Sequence, residues 1–291
     1  MNKKDFTNKY ENRYLKPYDV TIYKNRLYIN SFIGTYYGSL GNSMADSRYL
    51  ECAGDSDRSY LNPANSSYIT GSVGKNDIFL YDIDKNICSC HKNAHYNRMM
   101  DFDHFGDKYY IVTESGKIIT LDEKTCEMAT HHGPTVNLYA IKINQKTGDM
   151  FLSSWTDGTF EKYDTRKLKM TGKRQLWTFL FGITLNESAN TVMVAEPMNS
   201  RIIELDGKTL KTIRYLDAGL GVRDIQYAPD TGKIYSANYF DGTYTETDYK
   251  TGKVTRRVFI GRAPRGVFRD STTGRIFASS DCGIFEIRQK P

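Results

Sequence analysis

Short stretches of alternating apolar and polar residues recur along the chain, broken by Gly, Asn and Asp. GITL, TVMVAE and RIIELD follow one another between Gly182 and Asp206, and DIQYA, KIYSAN and GTYTETD between Asp224 and Asp248. Alternation over four to six residues with such punctuation predicts half-buried strands joined by tight hairpins. The runs also repeat as a set. Asp224 to Gly266 is 42 residues, and steps of 42 backwards reach Gly182 and then Ala140. A step of 39 from Ala140 reaches Asp101. Each unit reads as three strands, the third ending in Asp, followed by a Gly-Lys or Lys-Thr turn and a fourth strand. Four antiparallel strands in about 40–45 residues form the blade of a β-propeller.

The first unit opens at Asp19 in PYDVTIYKNRLYINSF and matches MMDFDHFGDKYYIVTE around Asp101, 82 residues on. We read this distance as one repeat plus an insertion of about forty residues, 33–75, between the second and third strands of the first blade. That stretch is rich in Gly, Ser, Asn and Asp. A degenerate seventh blade is the alternative. The last unit has three strands before Pro291, and FTNKYENRYL near the N-terminus is placed to supply its fourth. The expectation is an all-β, six-bladed propeller of four-stranded antiparallel blades. It forms a single domain over residues 1–291, with its ring closed by the N-terminal strand in the last blade.

The units resemble YVTN and NHL propeller repeats, in which a P-x-G-[IV] strand start precedes a D-x-x-[TG]-G turn, [IL]-Y-V-x-[ND], and a strand ending in Asp. Pro264–Val267, Asp230–Gly232 with Ile234–Asn238, and Arg201–Asp206 carry the resemblance. It implies architecture more than activity, because such repeats serve enzymes, receptors and scaffolds. The gluconolactonase and senescence-marker propellers, which hold a divalent metal with a Glu, two Asn and an Asp, are distantly similar. Their early Glu-x-Pro-x-Trp segment is absent, and Phe181 precedes Gly182 where they have Asn. Streptogramin-lyase propellers are also similar, but their catalytic His has no counterpart near this C-terminus.

Composition narrows the classes. Charged residues make up 25% of the 291 and the net charge is +6, with acids and bases interspersed, so no nucleic-acid face is expected. No apolar run approaches the roughly 18–20 residues that span a bilayer. The N-terminal MNKKDFTNKYENRY lacks the apolar core of a signal peptide. Five cysteines in an irregular set read as free thiols, which makes the cytoplasm the default location. A monomer is the default state.

Propeller topology turns repeat register into rings. The first-strand starts Asp19, Asp101, Ala140, Gly182, Asp224 and Gly266, the residues before them, and the second-strand ends all face one mouth of the channel. The insertion would overhang that mouth as a lid. The candidate catalytic residues are the carboxylates Asp19, Asp101, Asp224 and Glu196. Clustered, they can share a proton or bind a divalent cation such as Ca²⁺ or Mg²⁺. Tyr18, Tyr139, Trp155, Phe181, Arg223, Asn238 and Arg265 are the candidate ligand contacts, because arginines beside aromatics suit an anionic or planar molecule. The structural alternative is that the inner aspartates accept backbone N–H bonds from adjacent blades and the arginines pair with neighbouring acids. Cys88, Cys90, His91 and His95, with Cys126, His131 and His132, have metal-ligand types, but Cys88 and Cys90 share one strand face instead of a zinc-binding turn. No G-x-S-x-G, H-E-x-x-H, Walker loop or G-x-G-x-x-G occurs.

The expectation is therefore a soluble propeller binding a small polar or anionic ligand, or a protein partner, at the lidded mouth. The alternatives are a hydrolase or lyase, with or without a metal, using the mouth carboxylates, and a protein-interaction scaffold.

Overall fold

The computed structural model describes residues 6–10, 17–31, 34–39, 48–50, 58–62, 64–71, 76–94, 98–176 and 178–288. It shows an all-β propeller arrangement of seven four-stranded antiparallel sheets. Blade 1 consists of Pro17–Tyr23, Arg26–Ser31, Gly34–Ser39 and Arg48–Tyr49. Blade 2 is Ser59–Asn62, Ser67–Gly71, Asp77–Asp82 and Ile87–Asn93, and blade 3 is Met99–Phe105, Lys108–Thr113, Lys117–Asp122 and Met128–His132. Blade 4 is Leu138–Ile143, Asp149–Ser154, Thr159–Asp164 and Lys169–Gln175. Blade 5 is Ile183–Asn186, Thr191–Glu196, Arg201–Asp206 and Thr212–Asp217, and blade 6 is Val222–Ala228, Lys233–Asn238, Thr243–Asp248 and Val254–Phe259. Blade 7 takes Val267–Arg269, Ile276–Ser280 and Gly283–Ile287, with Phe6–Tyr10 lying antiparallel on the last of these.

The count is seven, not the six expected from the repeat. The described strands between Asp19 and Asp101 make up two blades, where one blade and a lid-like insertion were expected. Gly34–Ser39 and Arg48–Tyr49 complete blade 1, and Ser59–Asn62 and Ser67–Gly71 open blade 2. Asp77–Asp82 pairs with Ser67–Gly71 and so belongs to blade 2, although the sequence reading returned it to blade 1. These strands escaped notice because GTYYGS and SYLN are short and carry Gly, Ser and Tyr where other blades carry Ile and Val. Pairing still makes them strands: Ser59–Asn62 lies antiparallel on Ser67–Gly71, whose Tyr68 and Ile69 are wholly enclosed. The rest of the supposed insertion, 33, 40–47, 51–57, 63 and 72–75, lies outside the described residues.

The chain divides into two compact units. Residues 49–180 with 33–35 form one, which holds blades 2, 3 and 4. Its core includes Ile69, Ile78 and Leu80 of blade 2 against Phe102, Tyr109, Ile111 and Ile119 of blade 3. The other unit, 1–32 with 36–48 and 181–291, holds blades 5, 6 and 7 and most of blade 1. Here Tyr235 and Tyr244 of blade 6 face Ile276, Ala278 and Phe285 of blade 7, and Val20 and Ile29 of blade 1 face Phe277 and Ile284. Lys233–Asn238 is buried on both faces, Ile234 with the blade 5 core and Tyr235 and Ala237 with that of blade 7, so period 2 survives as a difference in exposure in fourth strands such as Val254–Phe259.

Polar residues also repeat inside the blades. Glu161, Glu204 and Glu246 sit on successive third strands, are fully buried, and meet a cation of the fourth strand: Lys173, Arg214 and Arg256. Cys90 and Cys126 are joined by a disulfide with Cα atoms 5.9 Å apart. That corrects the reading of all five cysteines as free thiols. The two lie 36 residues apart in neighbouring blades, so no spacing rule within one strand relates them. Exposed Cys282 is free. No helix among the described residues is long and apolar enough to cross a membrane.

Candidate functional site

Each first strand of blades 1, 3, 4 and 6 begins with an irregular step. The pairing register shifts between Pro17 and Asp19, Met99 and Asp101, Leu138 and Ala140, and Val222 and Asp224. The residues passed over are Tyr18, Met100, Tyr139 and Arg223. A bulge leaves one residue outside the ladder and re-aims its side chain. The local chemistry of the strand starts therefore follows from these bulges.

In the unit of blades 5, 6, 7 and 1, the bulge residues and their neighbours assemble a guanidinium–aromatic stack. Arg265 lies 4.2 Å from the centroid of the Tyr18 ring and 5.5 Å from that of Tyr239. Arg223 lies over the same Tyr239 ring at 5.4 Å. Asp281 pairs with Arg265 at 3.3 Å and with exposed Arg262 at 3.7 Å. Stacking of this kind holds planar guanidinium groups in fixed orientations and contributes about 0.5–2 kcal/mol per contact.

The candidate carboxylates of this unit are occupied with structural tasks. Asp224 Oδ2 accepts the Val267 N–H at 2.9 Å, tying blade 6 to blade 7. Asp19 Oδ1 accepts the Val20 N–H at 2.9 Å. Buried Glu196 accepts from Asn199 Nδ2 and is ion-paired to Arg201. Asn238 is fully buried, donating to Thr243 Oγ1 and accepting from Ser236 Oγ. Phe181 packs against the core and its N–H bonds to the Ala195 carbonyl.

The unit of blades 2, 3 and 4 has a second, smaller arrangement. Arg58 lies over the buried Tyr139 ring at 5.6 Å. Asp101 is buried, and its Oδ2 accepts the Ile141 N–H at 3.0 Å, so it links blade 3 to blade 4. Burial pushes its carboxyl above the ordinary range, against the pull of Arg58 and Lys142. Asp103 repeats the device two residues on, accepting the Ile143 N–H at 2.8 Å. Trp155 is half-buried, and its indole Nε1 is enclosed without a hydrogen-bond partner among the described residues.

The structure thus gathers Tyr18, Arg223 and Arg265, and it sets the carboxylates to separate backbone and side-chain donors. No group of three or more His, Cys, Asp or Glu among the described residues is arranged to hold a metal ion. That applies to Asp19, Asp101, Glu196 and Asp224 as the proposed Ca²⁺ or Mg²⁺ ligands. It applies equally to the cysteine–histidine set, in which His91 stacks on Phe79 at 4.6 Å. His95 lies outside the described residues.

Sequence reasoning missed Arg58, Tyr239 and Asp281. Arg58 stands 40 residues after Tyr18 and 42 before Met100, a signal hidden by the mistaken insertion. Tyr239 follows the second-strand end Asn238 as Trp155 follows Ser154, and it could have been taken by the same logic. No protein-family model matches the chain, and no curated protein matches it.

Proposed function

We propose that this chain is a binding propeller that recognises an anionic group, a carboxylate or phosphate on a planar or polar molecule, at the strand-start end of blades 6, 7 and 1. The observation that carries this reading is the stack of Arg223 and Arg265 on Tyr239 and Tyr18. Two arginines held by rings present charge at little entropic cost, because their side chains are ordered before the ligand arrives. Binding is favoured over catalysis, since each of these carboxylates already has a partner: Asp19 the Val20 N–H of its own strand, Asp224 the Val267 N–H of blade 7, and Glu196 the Arg201 guanidinium of its own blade. The YVTN- and NHL-like pattern of the repeats agrees with a scaffold that carries its function on such strand ends.

The test is calorimetric titration of the purified chain with a panel of aromatic carboxylates, nucleoside monophosphates and dicarboxylates, at low and high salt. At least one should bind, more weakly at high salt, and Arg265→Gln and Tyr239→Ala should each weaken it by about tenfold or more. Binding unchanged in both variants would refute the reading.

A further inference from the structure

Four large apolar side chains stand exposed in one row beside the arginine–tyrosine stack. They are Met198 (55% exposed), Leu220 (46%), Phe240 (59%) and Phe259 (51%), four of the ten large apolar side chains exposed among the described residues. Backbone hydrogen bonds join their loops in turn, the last through the Ile260 N–H on the Gly242 carbonyl. The Gly221 N–H donates to the Pro197 carbonyl beside Met198, and the Phe240 and Asp241 N–H groups both donate to the Leu220 carbonyl. Scattered exposed apolar residues are ordinary, whereas a contiguous set marks an interaction surface.

The row is also built to stand where it does. Gly221, in the left-handed region at φ +75°, lies beneath the Phe240 ring, where a Cβ would come within 2.6 Å of Cδ2. Gly242, at φ +71°, takes the same position under the Phe259 ring, 2.6 Å from Cε2. Only a residue without Cβ allows a backbone turn of this kind against a ring.

The charge around the row selects the occupant. Arg257, more than half exposed, lies 3.7 Å from Asp241, and Arg262, 86% exposed, lies 3.7 Å from Asp281. The two aspartates are the less exposed members of these pairs, at 20% and 16%, so the outward charge is cationic. Arg223 and Arg265 continue it inward. We infer that this row is the docking surface for an acidic peptide segment of a partner protein, its apolar side chains on Met198, Leu220, Phe240 and Phe259 and its carboxylates on the arginines. The inference rests on the anion-binding reading above and extends it from a small ligand to a macromolecular partner. Discrete arginines with acids beneath them suit the separate carboxylates of a peptide better than the continuous negative charge of a membrane.

The test is panning of a phage-displayed random-peptide library on the full chain. Enriched sequences should combine Asp or Glu with Phe, Leu or Trp. Fluorescence anisotropy of a labelled enriched peptide should show affinity about tenfold weaker for Phe240→Ser and for Met198→Ser with Leu220→Ser. These surface changes should leave the melting temperature nearly unchanged. Failure to enrich peptides over a bead control, or enrichment of basic sequences, overturns the inference. Sedimentation with phosphatidylserine vesicles that is lost in the same variants, with no peptide enriched, overturns it in favour of a membrane surface. Peptide binding abolished by Arg265→Gln but untouched by the row variants sinks the docking row alone. The reverse pattern sinks the arginine–tyrosine stack alone.

Discussion

Tyr249 Oη donates a 2.5 Å hydrogen bond to Glu204 Oε1, reaching from the last hairpin of blade 6 into the third strand of blade 5. Glu204 also accepts from Thr191 Oγ1 at 2.8 Å and from Arg214 Nε at 2.6 Å. Burial alone would raise this carboxyl, but the hydrogen bonds from Tyr249, Arg214 and Thr191 outweigh it and hold it below the ordinary range.

Glu204→Ala should therefore destabilise the chain by about 3 kcal/mol at neutral pH, by stranding Arg214 and the Tyr249 hydroxyl. Because the folded-state carboxyl titrates low, its contribution is present above the unfolded value, about pH 4, and fades as pH falls through the lowered one. Melting temperatures of wild type and Glu204→Gln across an acid series should converge at low pH. A gap independent of pH would contradict this account.

Asp101 should behave in the opposite sense. Its carboxyl is raised by burial, so the stability linked to its protonation is present below about pH 4 and lost as pH rises through the folded-state value. Asp101→Asn keeps an oxygen for the Ile141 N–H but has no proton to lose. Its melting temperature relative to wild type should improve as pH increases from acid to neutral. Asp101→Ala, which leaves the buried N–H without an acceptor, should cost about 1–3 kcal/mol.

The Cys90–Cys126 bond spans 36 residues and joins the outer strand of blade 2 to the last turn of blade 3. Removing it, by reductant or by Cys90→Ser, should cost about 2–4 kcal/mol of stability. Thermal melts with and without dithiothreitol, alongside peptide mapping under non-reducing conditions, read this directly. An unchanged melt with an intact 90–126 cross-linked peptide would refute it.

Gly158 and Gly232 separate backbone strain from crowding. Both have left-handed φ, +69° and +64°, but a Cβ on Gly158 would lie 2.1 Å from the Thr178 carbonyl oxygen, and on Gly232 it would meet nothing within 4 Å. Gly232→Ala should cost about 1 kcal/mol, the strain alone. Gly158→Ala should cost clearly more, about 3 kcal/mol, because the clash is with backbone. Chemical denaturation of the two variants gives the comparison, and equal losses would mean that the turn at Gly158 relaxes freely.

Residue pattern was enough to find most of the strands, the step of about 42 residues and the four-stranded blade. A strand's pattern is local: the apolar run Val192–Ala195 marks a buried strand wherever it is placed, and Thr191–Glu196 is buried throughout. It also marked the positions Tyr18, Arg223 and Arg265, since register within a repeat fixes which side chains share an end. Tertiary structure alone decided the number of blades, because the strands Gly34–Ser39 and Ser59–Asn62 are too poor in apolar contrast to announce themselves and become strands through pairing and burial. It decided that Asp101 and Asp224 tie blades, and that Cys90 meets Cys126, since both depend on which segment lies alongside across tens of residues. Hydrogen-bond partners between sheets are non-local, and a one-dimensional pattern can state which atoms need partners without stating where those partners come from.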